Sequence, residues 1–243
     1  MLNSIKAFTL SVFRGVCYGV VLALAITMVY NYIYPGVSAY QRSNVGLPTF
    51  NVVENGVAGN GHPMVRIHNQ YNSFICSGTI ISNSYILTAA HCLLDEEKKI
   101  SMETYNIHVL PVDGSSVIVI PAKAASINNL ADYGLMVGNF SGYATYKIAF
   151  DEVTPINNSN NLVTCGFPWG ANGVCYKITS QLKQYYFRSA ASGRLFPGMS
   201  GGPVFDIDKK VVIGVNSAVV SDQILIAPLV GLFESLDVEV VIE

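Results

Sequence analysis

The chain has 243 residues, a formal net charge of −2, 51% apolar residues and only 12% charged ones. That length holds one or two domains with real cores. A near-neutral charge without any basic run argues against a nucleic-acid partner, and no internal repeat or low-complexity tract points to a repeat architecture.

Gly15 to Tyr34 reads GVCYGVVLALAITMVYNYIY, twenty residues without a charge. As a helix it would span about 30 Å, the thickness of a bilayer core. Lys6 and Arg14 precede it, and Tyr30, Tyr32 and Tyr34 cluster at its far end. Basic residues before and aromatics after predict a single-pass anchor with the N-terminus in the cytoplasm and the rest of the chain outside it. Val37-Ser38-Ala39 resembles a signal-peptidase site, so a cleaved signal peptide and a secreted product is the alternative. The apolar run exceeds the roughly 7–15 residues of such peptides, which favours the anchor. A buried core helix is a third reading, disfavoured because a helix apolar all round needs cover on every side. Residues 1–34 are thus the cytoplasmic tip and anchor, and 35–61, rich in glycine, asparagine and proline, form a linker.

From residue 62 the pattern changes to short apolar runs between turn signals, the mark of an all-β chain. The predicted strands are Met64–His68, Phe74–Ile81, Tyr85–Thr88, Ile107–Val112, Val117–Ile120 and Gly134–Val137. These make a first barrel over 62–140. Ser141 to Asn161 crosses to a second barrel over 155–228. Its predicted strands are Leu162–Cys165, Val174–Leu182, Tyr185–Arg188, Pro203–Asp206, Val211–Val215 and Ile224–Ala227. Asp206 to Lys210 reads as a hairpin turn, Leu229 to Leu236 as a closing helix, and Asp95 to Lys99 as a solvated loop.

Three motifs carry chemistry. Phe196-Pro197-Gly198-Met199-Ser200-Gly201-Gly202-Pro203 sets a serine in a glycine-flanked turn. Such a turn exposes the hydroxyl and lets the Gly198 and Ser200 amides converge on one spot, as an oxyanion hole requires. Leu87-Thr88-Ala89-Ala90-His91-Cys92 places a histidine after an apolar strand, and Asp132-Tyr133-Gly134-Leu135-Met136 places an aspartate at the mouth of another. Asp113 and Asp151 compete with Asp132, but neither opens an apolar strand. His62, His68 and His108 have no motif around them and read as structural or surface groups. There is no HExxH, no CxxC pair and no calcium-type loop, so no metal or cofactor is expected.

The order Cys76-Ser77-Gly78-Thr79-Ile80-Ile81, then His91, Asp132 and Ser200, resembles the chymotrypsin/trypsin-like serine proteases. The likeness covers roughly residues 60–235, and Val211 to Ala218 is similar in style to the HtrA-type branch. The resemblance implies two six-stranded antiparallel β-barrels with the triad across their cleft. Ser200 would be the nucleophile, His91 the general base and Asp132 its orienting acid, with an oxyanion hole from Gly198 and Ser200. The S1 wall would include Leu195, Asn216 and Ser217, and Ser217, Ala218 and Val219 would pair with a protein or peptide substrate. Apolar Leu195 suggests an aliphatic P1 residue. Where glutamyl endopeptidases carry a histidine this chain has Asn216, which argues against glutamate specificity. Met199 stands where zymogen-activated relatives carry an aspartate, so activation by insertion of a new N-terminus is not expected. The family bridges the positions of Cys76 and Cys92. Cys165 and Cys175 flank a turn-rich stretch and make either a second bridge or two buried thiols, with Cys17 inside the anchor. Two other readings remain at this stage: a membrane-associated viral protease that processes a polyprotein, and a catalytically silent binding module on the same fold.

Overall fold

The computed structural model describes residues 63–110, 116–148, 161–179, 183–185, 188–221 and 223–229. The predicted anchor at 15–34, the linker at 35–61, His62, Asp113, Asp151 and the closing helix beyond Leu229 lie outside the described residues. Among the described residues no helix is long and apolar enough to cross a membrane.

The first half forms six strands: β1 (Met64–His68), β2 (Phe74–Ile80), β3 (Tyr85–Thr88), β4 (Thr104–Val109), β5 (Ile118–Asn128) and β6 (Tyr133–Gly138). Hydrogen bonding runs β1-β2-β3-β6-β5-β4 and returns to β1, a closed barrel without edges. Closure is fixed by pairs such as Val65↔Val109 and Ile67↔Ile107 between β1 and β4. Alternate residues of β4 point inward, and Tyr105, Ile107 and Val109 join Val65, Ile67, Ile80, Ile86 and Met136 in the barrel core. β5 runs eight residues beyond the predicted Ile120. Pro121 made the sequence look broken there. The β5–β6 ladder begins only at Ala122↔Gly138, so the missing proline N–H removes nothing from it.

The second half differs from the expected six-stranded barrel. Its strands are β7 (Leu162–Gly166), β8 (Val174–Lys177), β9 (Lys183–Tyr185), β10 (Arg188–Ser192), β11 (Pro203–Asp206), β12 (Val211–Val220) and β13 (Gln223–Pro228). They form a seven-stranded antiparallel sheet in the order β8-β7-β11-β12-β13-β10-β9. Just past β8, the Thr179 amide donates to Ser192 O at the end of β10 at 2.9 Å. The strand predicted over 185–188 is in fact the end of β9 and the start of β10, hairpin partners in the register Arg188↔Tyr185. The intervening Tyr186 and Phe187 carry none of the usual turn residues, which hid the reversal.

One core joins the halves. Met64, Leu87 and Leu135 from the barrel pack with Val163, Phe205 and Val215 from the sheet and Phe167 just past β7. The crossing segment is fastened on both sides, by Tyr146 N donating to Ile80 O (3.0 Å) and Val212 N donating to Lys147 O (2.9 Å).

Candidate active site

β3 leads into a single 3-10 turn, Ala90–Leu93. Ala89, Ala90, Cys92 and Leu93 are buried, so the turn is clamped and only His91 projects, its side chain 43% exposed. The Cys76–Cys92 disulfide ties this turn to β2. A second disulfide, Cys165–Cys175, joins the paired residues of β7 and β8.

Asp132 closes the turn between β5 and β6. Its φ of +68° is a left-handed conformation that aspartate tolerates better than most side chains. The turn is pinned by Asp132 N donating to Asn128 O (2.7 Å) and Ala131 N donating to Asn128 Oδ1 (3.0 Å). The carboxylate accepts from His91 Nδ1 (3.0 and 3.1 Å), from the His91 amide (3.0 Å) and from Ser217 Oγ (2.5 Å). Burial by itself would push this carboxyl up. The His91 hydrogen bond and charge, with Ser217 and the His91 amide, outweigh it and hold the group below its ordinary value. An ionised carboxylate only accepts, so Nδ1 carries a proton.

Ser200 stands in a turn held from several directions. Gly198 and Gly201 have φ of +90° and +77°, which glycine adopts without strain. A Cβ on Gly198 would lie 2.5 Å from the Phe74 ring, and one on Gly201 would collide with the Thr88 hydroxyl. Met199 N donates to Phe196 O (3.0 Å), Gly201 N to Asn216 O (2.8 Å) and Gly202 N to Met199 O (3.0 Å). Among the described residues the amides of Gly198 and Ser200 have no acceptor. The carbonyls are taken as well: Ser77 N donates to Ser200 O (2.8 Å) and Ser77 Oγ to Gly198 O (2.7 Å). Met199 is fully buried and its backbone packs on Gly166.

The fold thus joins His91 to Asp132 and presents Ser200 on a fixed turn. Among the described residues Ser200 Oγ makes no hydrogen bond to His91 Nε2, and such contacts commonly tighten only with substrate.

The expected S1 wall needs correction at two positions. Asn216 is wholly buried and faces the turn, donating through Nδ2 to Cys165 O (2.7 Å) and Met199 O (3.1 Å) while Thr164 Oγ1 donates to its Oδ1. Ser217 is 2% exposed and directed at Asp132. Neither side chain lines a wall. Leu195 is half-buried against the apolar cluster that includes Val204, Ile213 and Ile224, whereas Val219 is 52% exposed.

His68 and His108 stack at 3.8 Å on the outside of the barrel, both bonded to Asn72, and burial, then His68 and Arg66, hold the His108 imidazole below its ordinary value. Cys76, Cys92 and His91 are close enough to suggest a metal site, but both sulfurs are tied up in the disulfide. The sequence missed Ser77, Thr164, Asn128 and Arg188. A small polar residue inside the apolar run of β2 was the one available signal for Ser77.

A closed six-stranded barrel with a histidine–aspartate pair, sharing its core with a sheet that carries a serine turn, is the architecture of trypsin-like proteases. Residues 76–215 match the model of the trypsin-like peptidase domain, so the chain belongs to that family and is a protease. No curated protein sequence matches it significantly. Solved structures of similar fold include other proteases. The active form of the Rv3671c protease from M. tuberculosis superposes with a TM-score of 0.54 at 16% identity, covering 83% of this chain and 90% of that one. Deg5 gives 0.54 at 14% (71% and 86%), and the serine endoprotease from Yersinia pestis 0.57 at 16% (78% and 66%). At these identities the likeness is one of fold.

Proposed function

We propose that the chain is a serine endopeptidase that hydrolyses peptide bonds through an acyl-enzyme on Ser200. The observation that carries this reading is the accounting of amides in the 198–202 turn. Among the described residues three of the five N–H groups have acceptors, and the two left over, on Gly198 and Ser200, are those an oxyanion hole needs.

Ser200 Oγ attacks the substrate carbonyl carbon and its proton passes to His91 Nε2. Asp132 keeps Nδ1 protonated and stabilises the imidazolium. The carbonyl oxygen becomes an oxyanion held by the two amides. The C–N bond then breaks as Nε2 returns the proton to the leaving amine, and water repeats the sequence on the ester. β11 pairs with β12 only as far as Val215, while β12 continues to Val220. Its freed side at Ser217, Ala218 and Val219 takes the substrate as an added strand. Residues 15–34 hold the enzyme in a membrane, with catalysis on the extracytoplasmic face, and the two disulfides suit that oxidising side. Ser200→Ala should lower turnover of a peptide substrate by roughly three orders of magnitude or more without changing the melting temperature. Activity surviving in a clean Ser200→Ala preparation contradicts the proposal.

A further inference from the structure

We propose that Arg188 is a specificity residue that holds an acidic side chain of the substrate at P2 or P4. The inference rests on the reading of Ser217–Val219 as the substrate-pairing strand. Arg188 opens β10, two residues before Ala190 and so on the same face of the sheet. Ala190 is paired with Leu225 on β13, and Leu225 with Ala218 on β12. Directly paired residues share a face, so Arg188 stands on the side of the sheet that Ala218 presents. That side looks across the cleft, because Arg188 Nη2 comes within 3.9 Å of Asp132 Oδ2.

The contact with Asp132 does not account for the arginine. That carboxylate already accepts from His91 twice and from Ser217, and 3.9 Å is beyond hydrogen-bond distance. Among the described residues the Arg188 guanidinium makes no hydrogen bond, and the side chain is 28% exposed. A guanidinium carries five N–H donors in a fork suited to a carboxylate. Here the fork is partly shielded, beside the cleft, and among the described residues its contact with a carboxylate is the long one to Asp132. An extended substrate on β12 alternates its side chains. P1 turns toward Leu195, so P2 and P4 turn the other way, over His91, Asp132 and Arg188. An acidic group there meets Arg188, which offsets its repulsion by Asp132. A lysine there faces the like charge of Arg188.

The test uses the full-length Ser200→Ala chain and uncleaved fluorescent peptides that differ only in carrying Asp, Asn or Lys at P2 and at P4. Binding is read by anisotropy. Asp peptides should bind about fivefold tighter than Asn peptides, the scale of one partly exposed ion pair. Arg188→Gln in the same background should erase the preference, Arg188→Lys should restore part of it, and added salt should weaken it. Equal binding of Asp and Asn peptides, or a preference that survives Arg188→Gln, overturns the role of Arg188. Reactivity of Ser200 in the unaltered chain with a fluorophosphonate is a separate readout. Peptide discrimination without that reactivity would retain Arg188 and overturn the catalytic reading instead.

Discussion

The hydroxyl of Ser77 donates to the carbonyl of Gly198 at 2.7 Å and accepts the amide of Phe167 at 2.9 Å. One buried side chain of the barrel therefore fixes the carbonyl of the serine turn and the loop behind it. With Gly198 O held, the peptide between Gly198 and Met199 cannot rotate without breaking that bond.

Ser77→Ala leaves a buried carbonyl and a buried amide without partners. The expected cost is about 1–3 kcal/mol in unfolding free energy. The turn should also lose definition, so kcat should fall by more than KM changes. Thermal unfolding and steady-state kinetics on one preparation check both. A variant with lower stability and unaltered kcat would show that Ser77 supports the fold but not the turn.

Asp132 gives a signed pH dependence. Its folded carboxyl lies below the ordinary 3.8, so the unfolded chain binds this proton more readily than the folded one. The resulting stabilisation is full above the unfolded value and is lost as pH falls through the folded one. Denaturant midpoints measured from pH 6 to pH 2 should fall on the acid side, and Asp132→Asn should flatten that fall. The same substitution should reduce turnover on the order of 10⁴-fold by favouring the wrong imidazole tautomer.

The Cys76–Cys92 bridge closes a loop of sequence separation 16 between β2 and the His91 turn. Loop-closure entropy gives it about 3 kcal/mol of stability. Replacing both cysteines with alanine should lower the melting temperature, as should reduction of the unaltered chain. Reduction should have no further effect through this bridge once both cysteines are gone.

Much of the first barrel was legible because its strands alternate or run apolar between clear turns: β1 and β3 lie where Met64–His68 and Tyr85–Thr88 were read. The second half was less so. Tyr185-Tyr186-Phe187 looks like strand interior although the chain reverses there, and closure of a sheet depends on tilt and curvature that no local pattern encodes. The place of His91 beside a strand end, of Asp132 at a strand mouth and of Ser200 in a glycine turn was legible because the motifs around them are built from residues whose backbone roles are narrow. Asn216 was misread, since the sequence places it beside the substrate strand but does not reveal that its amide turns inward to Cys165 O and Met199 O. Arg188 carried no signal, because its place opposite Asp132 arises from pairing between distant strands.

Asn216→Ala should accordingly act on the turn rather than on P1 choice. It removes partners from Met199 O, Cys165 O and the Thr164 hydroxyl, all in the buried base of the site. Turnover should fall for every substrate alike. A changed ranking of P1 residues in a peptide library would return Asn216 to the pocket wall.

The most direct test of the central claim is labelling of the full-length chain by a fluorophosphonate, with the modified residue mapped by mass spectrometry. The account predicts adduct on Ser200, and loss of labelling in His91→Ala and in Ser200→Ala. A folded chain, its disulfides intact, that takes no label or takes it on another serine would contradict it.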